Sequence, residues 1–263
     1  MNTLLVGLPG SGKTTALCTG RLPIHLIDVD GKAKEMMNIR SLIKKGDVVV
    51  KTFKEKLVKD KLRDRALHPD VPPKEMPEGY LAIVDYLNRI IDGDTEFKPF
   101  RTIGLDSLTR IGDHHKSLLV HHRGKGKFGK KNIDDDMNWP SWGTYLKNWE
   151  ELLTPLCTYL EQDFICTVHL KVMVEKEVVV MPGGQAVETK VITGYKSLLD
   201  GQIRDKIAGY FNECYYMEAK TSGKNPTYQF RTRGTKYDAR TSLPLEEFEN
   251  ANIMELYKKA GLT

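Results

Sequence analysis

The sequence predicts an α/β fold: a mainly parallel, five-stranded central sheet flanked by helices, with β-hairpin additions towards the C-terminus. Three observations predict it. Apolar runs of strand length alternate with stretches of helical spacing from the N-terminus to His169, and such alternation builds parallel sheets through right-handed crossovers. The first strand breaks into a glycine-rich turn and resumes as a helix. Beyond "DFICTVHLKVMV" the helical spacing gives way to β-rich sequence punctuated by Gly and Pro.

Each element follows in order. "TLLVG" is the first strand and "TTALC" opens the helix after the turn. "IHLIDVDG", residues 24 to 31, is a second strand with Asp28 and Asp30 near its end. "AKEMMNIRSLIKK" has helical spacing and closes at Gly46, and "DVVVKTF" is a β-branched third strand. "KEKLVKDKLRDRALHPDVPPKEMPEG" is charged and then proline-rich, a solvated excursion before the amphipathic helix "YLAIVDYLNRIIDG". "FRTIGLDSLTRIG" is a fourth strand, apolar up to Asp106. Residues 121–140 form a basic loop expected to be mobile, followed by the long helix "WGTYLKNWEELLTPLCTYLEQ" and the fifth strand. "KEVVVMPGGQAVETKVIT", within a hairpin loop over 171–195, turns at Pro182, Gly183 and Gly184, and "NECYYMEAKTSGKNPTYQFRTRG" is a further pair of strands. Residues 1–240 make one domain, and 241–263 a C-terminal helical tail.

The glycine-rich turn matches G-x-x-x-x-G-K-[ST] at Gly7, Gly12, Lys13 and Thr14, in the strand–turn–helix context that a phosphate-binding loop requires. Glycines let successive backbone N–H groups turn inward around an anion, and the following helix adds its positive end. Gly7, Leu8, Pro9, Gly10, Ser11, Gly12, Lys13, Thr14 and Thr15 therefore bind ATP, with Lys13 reaching the β- and γ-phosphates and the Thr14 hydroxyl holding Mg²⁺.

Such a loop needs an acidic partner for Mg²⁺ at the end of a neighbouring strand. Asp106 is preferred over Asp28 because "TIGLD" is the more continuously apolar run, as a central strand should be. Ser107 stands where many related ATPases carry a glutamate, so the base that activates water comes from elsewhere. Asp30 is the first candidate and Asp28 the alternate; a plain turn-capping role for Asp30 remains open, since "DVDGK" has turn chemistry.

Composition narrows the class. The chain has 263 residues, is 40% hydrophobic and 29% charged, and carries a net charge of +5, ordinary for a soluble globular protein and only weakly suggestive of a polyanionic partner. No apolar run reaches membrane-span length and no signal-like segment opens the chain, so a cytoplasmic location is expected. Cys18, Cys157, Cys166 and Cys214 are scattered and form no metal or disulfide pattern. His114, His115, His121 and His122 lack an acidic or thiol group to complete a metal site, and Trp139, Trp142 and Trp149 read as packing anchors.

Together, the P-loop strand, the acid at the end of strand two, "DS" ending strand four and a polar group ending strand five resemble the RecA-type ATPase core. In that family a second-strand glutamate is the catalytic base, and the matching residue here is Asp30, one methylene shorter. A fifth-strand glutamine senses the γ-phosphate in that family, and His169 in "FICTVHLK" takes its place. With "LDSLT", "VHLK" and "RTRGTKYDAR", the chain also resembles compact phage-encoded nucleotide-binding proteins, several of them single-strand annealing recombinases. The resemblance implies a DNA-stimulated ATPase that acts on single-stranded DNA as a homo-oligomer beside phage replication or recombination proteins, in the host cytoplasm. It implies DNA contacts from the loops after strands four and five, where Arg123, Lys125, Lys127, Phe128, Lys130, Lys131, Lys171 and Lys176 fall. It also implies a cation acting across a subunit interface, drawn from Arg231, Arg233, Lys236 and Arg240. RecA polymerises through a segment ahead of its P-loop strand; here that strand starts at residue 2, so assembly is expected to use other surfaces. A motor or nucleotide-gated scaffold, and a small-molecule kinase, are the competing classes.

Overall fold

A computed structural model of the chain describes residues 1–53, 78–123, 139–180, 186–222, 225–234 and 239–262. The charged excursion and most of the basic loop lie outside these residues.

Strand β1 (Asn2–Gly7) leads through the glycine-rich turn into the short helix α1 (Lys13–Leu17). Then come β2 (Ile24–Asp28), α2 (Met37–Lys45) and β3 (Val48–Thr52). Helix α3 (Gly79–Ile91), β4 (Thr102–Asp106), α4 (Leu108–Arg123) and α5 (Trp139–Thr158) precede the long strand β5 (Asp163–Val180). The chain continues through β6 (Ala186–Ser197), the short α6 (Ile203–Lys206), β7 (Glu213–Ser222), β8 (Asn225–Arg231), β9 (Phe248–Asn250) and α7 (Ile253–Lys259).

The main sheet has the order β3-β2-β4-β5-β1-β7-β8-β9, parallel from β3 to β7 and antiparallel from β7 to β9. This is the α/β class expected, including the antiparallel C-terminal strands. Its parallel part is larger than expected: β7 adds a further parallel strand, with Thr3 to Val6 in register with Glu213 to Tyr216, before forming its hairpin with β8. Local pattern showed the hairpin; the pairing of β7 with β1 is a long-range event that local pattern does not carry.

Every residue of β1, β2 and β4 is buried, because helices cover both faces. The strand period of two sends Leu4 and Val6 to one face, among α3, α4 and α5, and Leu5 to the other, among α1, α2 and α7. Trp149 is fully buried in the first layer and Trp142 packs beside it, while the Trp139 side chain lies outside the described residues. Residues 241–262, expected as a helical tail, hold a strand as well as the helix α7. Strand β9 extends the sheet, and Ile253, Leu256 and Tyr257 of α7 are buried in the second layer.

The hairpin expected over 171–195 is present as a two-stranded ribbon, and the fifth strand, read as "DFICTVHLKVMV", runs on into it: β5 leaves the parallel sheet after His169 and pairs with β6 from Leu170↔Ser197 to Val180↔Ala186. The expected turn residues Pro182 to Gly184 lie outside the described residues. Among the described residues no cluster of histidine, cysteine and carboxylate groups could hold a metal, and no helix is long and apolar enough to cross a membrane. His115 is instead a packing residue, stacked between Tyr80 and Tyr145 at centroid distances of 4.1 and 4.7 Å.

Candidate nucleotide-binding site

The parallel strands direct their carboxyl ends to one edge of the sheet, and in open α/β sheets that edge is where ligands bind. Gly7 ends β1 and Lys13 begins α1. A Cβ on Gly7 would lie 2.5 Å from Ser11 Oγ and 3.0 Å from Met217 Cβ, so only glycine lets the loop fold back this tightly. Gly12 has φ 87°, a left-handed conformation that side chains resist. These two positions explain the motif's glycines.

Lys13 is 4% exposed, and its ammonium donates to the carbonyls of Gly7 at 2.8 Å and Leu8 at 2.9 Å. Burial lowers its pKa to about 8, against the opposing pull of Asp106 and Asp30. Next to it, Thr14 Oγ1 donates to Asp106 Oδ2 at 2.7 Å, while Thr15 Oγ1 accepts from Asn38 Nδ2 of α2 at 2.9 Å. Asp106 is 4% exposed; its other oxygen accepts from the Thr167 hydroxyl of β5. Burial pushes the Asp106 carboxyl upward, partly offset by the bonds from Thr167 and Thr14. A buried ammonium, a threonine hydroxyl and a buried carboxylate around a glycine cradle form a donor set that fits a Mg²⁺-bound polyphosphate.

Asp28 and Asp106 are paired in register at the ends of β2 and β4, yet their roles differ. Asp28 Oδ1 accepts from Gly31 N at 2.7 Å and Oδ2 from Ala33 N at 3.0 Å, so Asp28, rather than Asp30, closes the "DVDGK" turn. Asp30 points elsewhere. Its Oδ1 accepts from Ser107 Oγ at 3.1 Å and lies 3.8 Å from Arg110 Nε, and its Oδ2 lies 3.4 Å from His169 Nε2. Burial works to raise the Asp30 pKa, but the bonds from His169 and Ser107 and the charges nearby outweigh it and hold the carboxyl below its usual range. Asp106 and Asp30 thus lie near enough to Lys13 to act on its charge, with His169 beside Asp30.

The expected trans cations are not equally available. Arg231 is bound within its own chain by Glu218 and Glu247, each at 3.1 Å, and its guanidinium lies 4.5 Å from the Phe248 ring centroid. Arg240 donates to the carbonyls of Ala208 and Phe211, which ties it to the chain segment before β7. Both thus carry their charge against partners in cis. Arg233 is exposed just past β8, and Lys236 lies outside the described residues. Of the expected DNA contacts, Lys171 is exposed on the ribbon and Lys176 pairs with Glu188 at 2.8 Å. The Arg123 side chain, Lys125, Lys127, Phe128, Lys130 and Lys131 lie outside the described residues.

Sequence reasoning missed Ser107 and Arg110 as partners of Asp30, Thr167 as a partner of Asp106, and Asn38 at Thr15. "DSLTR" carried a signal for the first two, since the first turn of α4 follows Asp106 directly. Thr167 and Asn38 reach the site through sheet register and helix packing, which local sequence does not reveal.

No protein-family model and no curated protein sequence matches this chain. Among solved structures, it is similar to the flagellar accessory protein FlaH from Methanocaldococcus jannaschii, at 13% identity and TM-score 0.38, covering 94% of this chain and 82% of that one. It is also similar to a KaiC-like protein from Pyrococcus horikoshii, at 11% identity and TM-score 0.37, covering 87% of this chain and 76% of that one. At these values the strand order and the loop geometry carry the fold assignment.

Proposed function

We propose that this protein is a RecA-type P-loop ATPase whose water-activating group is Asp30. The observation that carries the reading is the convergence of Lys13, Thr14 and Asp106 on a glycine cradle with a second, ionised carboxylate beside them. Loop N–H groups and Lys13 bind and orient the phosphates. Thr14 and Asp106 would hold Mg²⁺, whose charge neutralises the phosphate oxygens in such sites. Asp30 accepts a proton from the attacking water as its oxygen bonds to the γ-phosphorus and the bond to the β-bridging oxygen breaks, giving ADP and inorganic phosphate. Ser107 and His169 hold the Asp30 carboxylate in place from either side.

Single-stranded DNA is the partner this reading favours, in annealing, recombination or replication of phage type. It is supported by the ribbon that begins one residue after His169 and exposes Lys171 and Lys190, so that a polyanion on the ribbon would bear on the residue beside Asp30. A homo-oligomer follows from the same reading, with Arg233 the described candidate for a trans cation.

The test is ATP turnover by wild type and Lys13→Ala, with and without single-stranded DNA. Wild type should hydrolyse ATP, and Lys13→Ala should lose about 10²-fold or more. Turnover that ignores DNA, together with no salt-sensitive DNA binding, would leave the ATPase and remove the DNA partner in favour of a motor or scaffold.

A further inference from the structure

We propose that Tyr228 is the platform on which the base of the bound nucleoside triphosphate stacks; this rests on the P-loop being a nucleotide site. The direction of the ligand follows from the sheet. Asp30, Asp106 and His169, which mark the γ-phosphate end, follow or lie on β2, β4 and β5, all to one side of β1 in the strand order. A polyphosphate running along the loop from that end therefore leads towards β7 and β8.

Tyr228 meets it there. One face of its ring lies over the loop so closely that a Cβ on Gly12 would fall 2.9 Å from Cδ1, 3.1 Å from Cγ and 3.2 Å from Cε1. The strand period puts Tyr228 on the same sheet face as Phe230, which is fully buried against Tyr215 in the core. Because β8 runs antiparallel to β7, Tyr228 is two residues nearer the carboxyl ends of the parallel strands than Phe230. The same apolar face thus passes from core to loop rim, where Tyr228 is 38% exposed. A ring that rests one face on the loop backbone and is still 38% exposed offers its other face as a preorganised surface for a planar base. Stacking of this kind tolerates any base, since every base has a π-face.

The experiment compares two ligands by calorimetric titration in the presence of Mg²⁺: a non-hydrolysable ATP analogue, and inorganic tripolyphosphate, which has no base. Tyr228→Ala and Tyr228→Leu should each weaken the ATP analogue by about 5- to 100-fold, while Tyr228→Phe stays within about 2-fold of wild type. All three should bind tripolyphosphate as wild type does, which also shows that the loop is folded. Equal losses for both ligands, full affinity in Tyr228→Leu, or no loss in Tyr228→Ala would each overturn the platform while leaving the nucleotide site standing. A wild-type protein that binds neither ligand would overturn the nucleotide site and the platform with it.

Discussion

Two aspartates separated by a single residue, Asp28 and Asp30, meet different partners because the backbone turns between them. Asp28 accepts backbone N–H groups from the following turn, whereas Asp30 faces Ser107 and His169 beside the P-loop. Asp30→Asn should bind nucleotide nearly as wild type does yet lose about 10²- to 10⁴-fold in turnover, measured as steady-state phosphate release. Asp28→Ala should instead cost stability, about 1–3 kcal/mol by chemical denaturation, because it leaves turn N–H groups without their acceptor. Full turnover in Asp30→Asn would reassign the base. Lys13 adds a pH dependence. With its pKa near 8 in the free protein, its positive charge is present below that value and lost above it, so affinity for polyphosphate should fall about tenfold between pH 7 and pH 9. A flat profile across that range would mean that Lys13 keeps its charge.

At the scale of elements, the P-loop and the β5–β6 ribbon follow opposite rules. The loop is held at three points: Gly7 against Ser11 and Met217, Gly12 against Tyr228, and Lys13 against its own loop carbonyls. Gly12→Ala should therefore destabilise the fold by at least ~1–2 kcal/mol and weaken nucleotide binding, since a Cβ meets both a left-handed φ of 87° and the Tyr228 ring. A thermal melt and a nucleotide titration check both halves. The ribbon, by contrast, exposes Val174, Val191 and Ile192 together with the Lys176–Glu188 pair. Exposed pairs of that kind contribute little, so Lys176→Ala should leave the melting temperature nearly unchanged. The helices were readable from their spacing, but β5 was not readable as one strand. Asp163 to Val168 are buried by the sheet and Lys171 to Lys176 are not, so no single pattern runs through it.

Across the whole molecule, two layers of apolar side chains sandwich the sheet, and buried histidines tie their stability to pH. His25, among Tyr86, Phe97 and Phe100, and His115, between Tyr80 and Tyr145, both have pKa values lowered by burial to about 4. Each binds its proton more readily when unfolded, so stability declines as pH falls from the ordinary histidine range of about 6.5 towards 4. The melting temperature should drop between pH 7 and pH 5, by roughly 2–4 °C for each kcal/mol lost, and His115→Asn or His25→Asn should flatten that dependence. The sequence by itself determined the α/β class and the glycine-rich strand–turn–helix loop, because each depends on local chemistry: strand and helix periods, glycine geometry, and a lysine and a threonine at set spacing. Only the tertiary structure decided which aspartate closes a turn and which faces Ser107 and His169, that β7 joins the parallel sheet, that Arg231 and Arg240 are bound in cis, and that Tyr228 abuts the loop. Those outcomes join residues far apart in the chain, and register and packing, rather than any local pattern, bring them together.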